Sequence, residues 1–291
     1  MKLLRSYSRL TSHFGKPFPP RRLAWVILMK HPTAALASRV KFKKPPINEL
    51  VIGLYYVPIV DLKAQHVGLY WERIKDRFPI CEQKEPIGPI FEHVDGELFP
   101  LPRFWFYREA ASNLVQLQRN AFIYNWRRCL NHTYPHYENV YEEFLTEFNI
   151  YQRFLHDEVS AKVDVIRLCE LTYINIISTE GWSKPSELGA ILPPVAGFQV
   201  IETESRSLIG LNSTVACRLN ENLQVDVSVK TGKRKGDSEN LAILEIKGHG
   251  APDGFSVESV QPWYDAAHDA IYDLFLTFTD KEAQQRWEPM L

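Results

Sequence analysis

Residues 104–128 read FWFYREAASNLVQLQRNAFIYNWRR, and this stretch constrains the fold more than any other part of the chain. Apolar or aromatic residues alternate with polar ones in three short runs, a period typical of strands with one face in a core. Arg119 and Asn120 predict a tight turn between two of these runs, because Asn tolerates a positive φ. The stretch therefore predicts an antiparallel meander with strands at 104–108, 114–118 and 121–128.

Hydrophobic periodicity predicts the other elements. Apolar residues at three- and four-residue steps predict helices at 61–78, with Asp61 as N-cap, at 137–156 and at 259–278. Further strands are predicted at 47–57, 163–178, 198–202, 210–219, 223–230 and 240–247. Runs of neighbouring strands punctuated by helices favour an α+β fold with two antiparallel β-meander subdomains, each packed by helices.

The predicted domain organisation follows from composition. Residues 1–44 form a basic extension that we expect to be flexible, and folded structure begins near Pro45. An N-terminal α+β subdomain is predicted at 45–180, and a connection with three prolines at 181–197. Residues 198–291 are predicted to form a C-terminal antiparallel sheet with one helix.

Charge is distributed unevenly along the chain. Eleven Lys and Arg residues precede the first acidic residue, Glu49, whereas the rest of the chain has 23 basic and 35 acidic residues, a formal charge of −12. An acidic body argues against nucleic-acid binding and favours a basic protein partner. The basic extension has three interpretations: an extension without a folded role upstream of Met29, a tail that touches nucleic acid or membrane, or a targeting segment.

Several classes of protein are disfavoured. No apolar run approaches the ~20 residues that span a bilayer, so we expect a cytoplasmic protein without a membrane partner. The four cysteines, Cys81, Cys129, Cys169 and Cys217, form no CxxC pair, and the phosphate-binding and HExxH patterns are missing from the sequence. The sequence therefore predicts neither a metal site nor a cofactor.

One row of polar residues is a candidate binding surface. Gln116, Gln118, Asn125 and Arg127 are predicted to share one face of the meander, where they would present donors and acceptors in line. Such a row could hold a peptide or a ligand. The alternative is the ordinary solvated face of a one-sided sheet.

His268 is a further candidate, because it lies close to the apolar side of the last predicted helix. One interpretation is a partly buried histidine that bonds to a strand carbonyl. The other is a binding residue that acts with Gln116, Asn125 and Arg127 in a cavity between sheet and helices, as in a small-ligand sensor.

Asp226, Glu245 and Lys247 form the one candidate catalytic set. An acidic residue on one strand and Glu-x-Lys on the next is the arrangement of metal-dependent nucleases, in which carboxylates hold Mg²⁺. A strand edge with alternating charges produces the same pattern, and this ordinary interpretation is the favoured one.

The chain resembles a sporadically distributed family of uncharacterised bacterial and archaeal proteins. The resemblance spans about 44–288 and is carried by KPPINELVIGLYY at 44–56, VQLQRNAFIYNWRR at 115–128, YPHYENVYEEF at 134–144, ELTYIN at 170–175 and DAAHDAIYDLF at 265–275. It implies that certain positions are typical of the family: Asn125, Trp126, Arg127, Tyr134, Pro135, Tyr173, Asn175 and His268. The family has no established activity, but its patchy distribution is typical of antitoxins, immunity proteins and phage-defence components. The leading hypothesis is thus a non-catalytic binding protein for a protein partner, with Trp126 and His268 added to the polar row as binding residues.

Overall fold

A computed structural model describes residues 40–87, 101–129, 133–178, 182–234 and 239–290. The strands are β1 (Lys41–Phe42), β2 (Ile47–Tyr56), β3 (Ile80–Lys84), β4 (Arg103–Tyr107), β5 (Asn113–Gln118), β6 (Ala121–Arg127), β7 (Ile166–Ile177), β8 (Asn212–Asn220), β9 (Leu223–Lys233), β10 (Asn240–Gly250) and β11 (Pro289–Met290). The α-helices are α1 (Ala64–Ile74), α2 (Tyr137–Phe154), α3 (Val260–Phe278) and α4 (Lys281–Arg286). One π-helical turn, Leu155–Val159, extends α2.

The α+β class is confirmed, and its centre is a single antiparallel sheet. The order of the nine strands is β3-β4-β5-β6-β2-β7-β10-β9-β8. The two predicted meanders are the two ends of this sheet, because β2 and β7 pair with each other and join them. Tyr173 of β7, for example, lies between Leu50 of β2 and Ile246 of β10.

Helices α1, α2 and α3 contribute to one large apolar core on one face of the sheet, called here the helix-covered face. The core is strongly aromatic, as the stacked rings of Phe122 and Tyr151 illustrate, with centroids 5.3 Å apart. Aromatic rings bury a large apolar area, so they supply much of the stabilisation of this layer. Within the described part of the chain, no helix is both long and apolar enough to cross a membrane.

The opposite face of the sheet carries many polar side chains and a small apolar cluster. Tyr55, Ala121 and Ile123 form this cluster, with Val51 and Leu168 packed against it. Polar residues surround it because strand residues alternate between the two faces. We call this side the polar face.

One predicted strand is wrong in type, and one predicted helix begins later than expected. Residues 198–201 are not a strand but the end of a 3₁₀ helix, Pro193–Ile201, because the two prolines at its start preset a helical φ. Helix α1 begins at Ala64 and not at 61, and its N-cap is Lys63. There the side chain of His66 accepts a hydrogen bond from the backbone N–H of Lys63, at 3.2 Å.

Residues of the predicted extension and of the predicted connection contribute to the folded structure. Residues 1–39 of the predicted extension lie outside the described residues, but Lys41–Phe42 form strand β1, which pairs with β11. Phe42 is buried against Phe275 and Trp287. Because of these apolar contacts, the folded structure includes residues that precede Pro45. The connection at 181–197 likewise contributes Leu188 and Leu192 to the main core.

Candidate partner-binding site

Strand β8 forms one edge of the nine-stranded sheet and pairs on one side only, with β9. In an antiparallel edge strand, every second residue directs its N–H and C=O away from the ladder, so these groups are available to another strand. Almost all of its nine residues are exposed. The strand contains neither Lys nor Pro, the residues that commonly protect sheet edges, and Arg218 is its one charged residue.

The apolar layer of the helix-covered face continues onto β8 and becomes exposed there. Val215 lies opposite Val227, and Cys217 opposite Val225, so these side chains share a face. Val227 and Val225 are fully buried, whereas Val215 is 46% exposed. Helix α3 packs over β7, β9 and β10, which accounts for the burial of the β9 valines.

The chain next to this edge exposes an unusual amount of apolar surface. Of the eleven large apolar residues that are exposed in the described regions, six lie within 198–219, which we call the apolar segment. They include Ile209, which is 96% exposed, and Val200, which is 77% exposed. Such a concentration of exposed apolar side chains is a common mark of a protein-interaction site.

The predicted polar row lies on the polar face, where its members bond to each other and to neighbouring side chains and backbone. The side-chain N–H of Gln116 donates to Asn125 Oδ1 at 2.7 Å, and Asn125 Nδ2 donates to Glu49 at 2.7 Å. Arg127 Nε also donates to Glu49, at 2.9 Å. Gln118 is bonded through its amide to the backbone of Ile87. Gln116, Gln118 and Asn125 are buried, so the network holds the strands together and leaves mainly Arg127 accessible.

Trp126 and His268 lie on the other side of the sheet from this row. Trp126 is buried on the helix-covered face and packs edge-on against Tyr134, with ring centroids 5.2 Å apart. His268 Nδ1 and the Tyr173 hydroxyl form a hydrogen bond at 2.9 Å, so one partner of this histidine is a side chain of β7. The sheet therefore separates His268 from Gln116, Asn125 and Arg127.

His268 instead lines a cavity of about 100 Å³ between α2, α3 and the start of β2. Several positions that the resemblance singles out meet here, namely Tyr134, Tyr173, Asn175 and His268. The Tyr134 and Tyr173 hydroxyls are 3.4 Å apart. Burial raises the pKa of both phenols well above the ordinary value, so they are neutral at physiological pH.

Asp226, Glu245 and Lys247 lie on the polar face, with Lys247 directly opposite Asp226. Two of the three charges have neighbours of their own: Lys247 Nζ is 2.8 Å from Glu170, and Asp226 is 3.1 Å from His249 Nε2. Across the described ranges, no three His, Cys, Asp or Glu side chains are grouped closely enough to hold a metal ion. The set therefore resembles the alternating ion pairs of an ordinary strand surface.

Sequence reasoning missed the role of β8 as an edge strand, although the run NSTVACRLN without Lys or Pro was a visible signal. It also did not single out Tyr137, because the position of this residue in the helical pattern indicates only that it belongs to the core of α2.

Comparison of the chain with protein-family models, with curated proteins and with solved structures finds no match in any of the three.

Proposed function

We propose that this chain is a non-catalytic binding protein that accepts an extended segment of a protein partner as a tenth strand beside β8. The observation that carries the proposal is the coincidence of an open nine-residue edge with the apolar segment at 198–219. Backbone hydrogen bonds along the edge would supply affinity, and alternate side chains would supply selectivity.

The geometry of β8 specifies the chemistry of the partner strand. On the helix-covered side, Val215 and Cys217 leave a half-open apolar strip, so the partner should present apolar residues at every second position. On the polar face, Thr214 is already bonded to Ser228 at 2.8 Å, which favours small polar residues at the intervening positions. A formal charge of −12 outside residues 1–44 favours a basic partner.

The opposite edge of the sheet offers a contrast that supports this choice of surface. Strand β3 has five residues, two of which, Glu82 and Lys84, form an ion pair at 2.6 Å. Short, charged edge strands disfavour pairing with another chain. The two edges of one sheet thus differ in the features that govern strand addition.

An antitoxin, an immunity protein or a phage-defence component would be a binder of this kind, and the patchy distribution of the family that the chain resembles favours such a role. In each case the partner would be a protein that the chain neutralises or recruits, and no catalysis by this chain would be needed.

The proposal is tested with Val215→Lys in the tagged full-length protein, purified from its native host at low and high salt. Lysine at this position places a charge on the apolar strip, so we expect at least a tenfold loss of the co-purified partner, about 1.4 kcal/mol or more. Val60→Lys is the matched control, because Val60 is also 46% exposed but lies far from β8 in sequence and outside every strand.

Retention of a stoichiometric partner by Val215→Lys would contradict the proposal, as would an equal loss with Val60→Lys. Light scattering on the same samples identifies a partner that is a second copy of the chain, since Val215→Lys would then convert a dimer into a monomer. Release of the partner by salt would support the expected contribution of opposite charge.

A further inference from the structure

Three cationic side chains surround one tryptophan on the polar face. Trp105 of β4 lies on this face because its strand partner is Gln116, a member of the polar row. Lys84 Nζ and the Cζ atoms of Arg103 and Arg127 lie 5.0, 5.2 and 5.1 Å from the centroid of the indole ring. Contacts of this kind attract a cation to the face of an aromatic ring. Positive charge is thereby concentrated in one small area of the sheet.

Lys84 and Arg103 lie directly opposite each other in the antiparallel pairing of β3 with β4. Their side chains therefore leave the sheet on the same face and at neighbouring positions. Two like charges in this arrangement repel each other and destabilise a strand pair. A negative group that lies beside both side chains would remove this repulsion.

The carboxylates nearby compensate only part of the positive charge. Glu82 is 2.6 Å from Lys84, and Glu49 is 2.9 Å from Arg127 Nε. Arg103 forms no ion pair with a described residue, and its one hydrogen bond runs from Nη1 to a neutral side-chain amide, at 2.9 Å. Three cations next to two carboxylates leave one positive charge over, and the cation without a counterion is Arg103.

Arg103 keeps donors that a ligand can reach. The residue is half-buried, and burial lowers the pKa of its guanidinium because the cation loses hydration. Nε is fully buried and out of reach of a ligand. Nη2 has no hydrogen-bond partner among the described residues and is not one of the fully buried atoms, so its N–H groups are free to donate. Lys84, beside it, has 37% of its side chain exposed.

We propose that Lys84 and Arg103 bind an oxyanion, a carboxylate or a phosphate group, beside Trp105. Arg103 Nη2 and Lys84 Nζ donate charge-assisted hydrogen bonds to oxygens of the anion. Arg127 adds positive potential from its position at the same indole. The site lies at the β3 end of the sheet, whereas β8 forms the other edge, so it does not depend on the partner strand proposed above.

The indole N–H of Trp105 can report on this site. Trp105 Nε1 and Arg103 Nη1 donate to the same oxygen, Gln116 Oε1, each at 2.9 Å, so an anion bound to Arg103 should change the environment of the indole proton. The NMR signal of this proton is identified as the one that is missing from Trp105→Phe. The indole of Trp71, which donates to the carbonyl of Phe78, provides an internal reference.

The test is a titration of the full-length protein with sodium phosphate and, separately, with sodium acetate, at an ionic strength kept constant with sodium chloride. We expect a saturable shift of the Trp105 signal with a dissociation constant of about 1–10 mM, and no saturable shift of the Trp71 signal. Tighter binding of phosphate would identify the ligand group as a phosphate, and tighter binding of acetate would identify it as a carboxylate. Absence of a saturable Trp105 shift with both anions would overturn the proposal.

Arg103→Gln should weaken binding by about tenfold or more, because it removes the cation that has no counterion. Lys84→Gln, at a partly exposed position where folding is not at risk, should weaken binding by roughly threefold or more. Arg153→Gln is the control, because it removes an exposed arginine from α2 on the helix-covered side and should leave the affinity unchanged. Unchanged affinity in Arg103→Gln or in Lys84→Gln, or an equal loss in Arg153→Gln, would contradict the site.

Discussion

His268 lies flat on Tyr137, with ring centroids 4.1 Å apart and ring planes 7° from parallel. The same imidazole bonds to the hydroxyl of Tyr173. One side chain of α3 is thus attached both to α2 and to the central strand β7. The cavity wall depends on this three-way contact, which makes it a suitable place to measure how strongly the helices are coupled to the sheet.

A double-mutant cycle with His268→Phe and Tyr173→Phe should give a coupling energy of about 0.5–1.5 kcal/mol, the value of one hydrogen bond. Phenylalanine retains an aromatic ring at both positions, and the cycle cancels the other contacts that each single substitution removes. The measurement is the free energy of unfolding in urea for the wild type, both single variants and the double variant.

Pairing His268→Phe with Tyr56→Phe serves as the control for this cycle. The Tyr56 hydroxyl bonds to Tyr151 at 3.2 Å in another part of the core, so the two effects should add. Additive effects of His268→Phe and Tyr173→Phe would show that their contact contributes nothing to stability.

Glu147 should make stability depend on pH. It is buried on α2 with its carboxylate 3.0 Å from Arg77, and burial, which outweighs the arginine, raises its pKa from 4.5 to about 7. Between pH 4.5 and pH 7, Glu147 is deprotonated in the unfolded chain but still protonated in the folded protein. The free energy of unfolding therefore falls as pH rises from 4.5 through 7. Glu147→Gln should therefore match the wild type near pH 5 and exceed its unfolding free energy at pH 8 by roughly 2–3 kcal/mol.

Urea unfolding of both proteins across this pH range gives the comparison. Glu142→Gln, at an exposed position of the same helix, is the control for removing a carboxylate from α2 that is not buried. If the difference between Glu147→Gln and the wild type does not change with pH, Glu147 has no raised pKa in the folded protein.

Asn125→Ala should lower the free energy of unfolding by about 2–3 kcal/mol, because it removes the acceptor of the buried Gln116 amide N–H and one of the donors to Glu49. Asn212→Ala, at the exposed start of β8, should change it by less than about 0.5 kcal/mol. Chemical denaturation measures both. An Asn125→Ala protein of normal stability that fails to bind its partner would instead assign the polar row to recognition.

Two glycine substitutions should have opposite effects on stability. A Cβ at Gly250 would lie 1.9 Å from the backbone oxygen of Asn222, so Gly250→Ala must displace the β8–β9 turn and should cost about 3 kcal/mol or more. A Cβ at Gly68 in α1 meets nothing within 4 Å, and Gly68→Ala should stabilise the protein by roughly 0.5–1 kcal/mol. Thermal unfolding of the two variants tests the pair, and a stable Gly250→Ala protein would contradict this account of the turn.

Local pattern was sufficient to predict much of this fold. The spacing of Val140, Phe144, Phe148 and Tyr151 predicted α2, and Asn220 and Asn222 marked the turn of the β8–β9 hairpin. Strand β3 was missed, because ICEQK is a half-exposed edge strand without a regular alternation of apolar residues. The prediction of a strand at 198–202 was wrong because it gave more weight to the β-branched residues there than to the prolines at 193 and 194, which favour the start of a helix.

The candidate sites were harder to predict, because they depend on which strands pair. Gln116, Asn125 and Arg127 were correctly expected to share a face, since alternation along two neighbouring strands is a local property. The contact of Tyr173 with His268 joins residues far apart in sequence and requires the pairing of β7 with both β2 and β10. The hydrophobic periodicity of a single strand does not indicate which distant strands it pairs with.

The small ladder between β1 and β11 has a consequence for the order of events during synthesis. Lys41 and Phe42 contribute to the cavity lining, but their strand partners are Pro289 and Met290. The ribosome therefore adds almost 250 further residues before Pro289 and Met290 can pair with β1. Until these two residues have been made, this wall of the cavity lacks its strand partner.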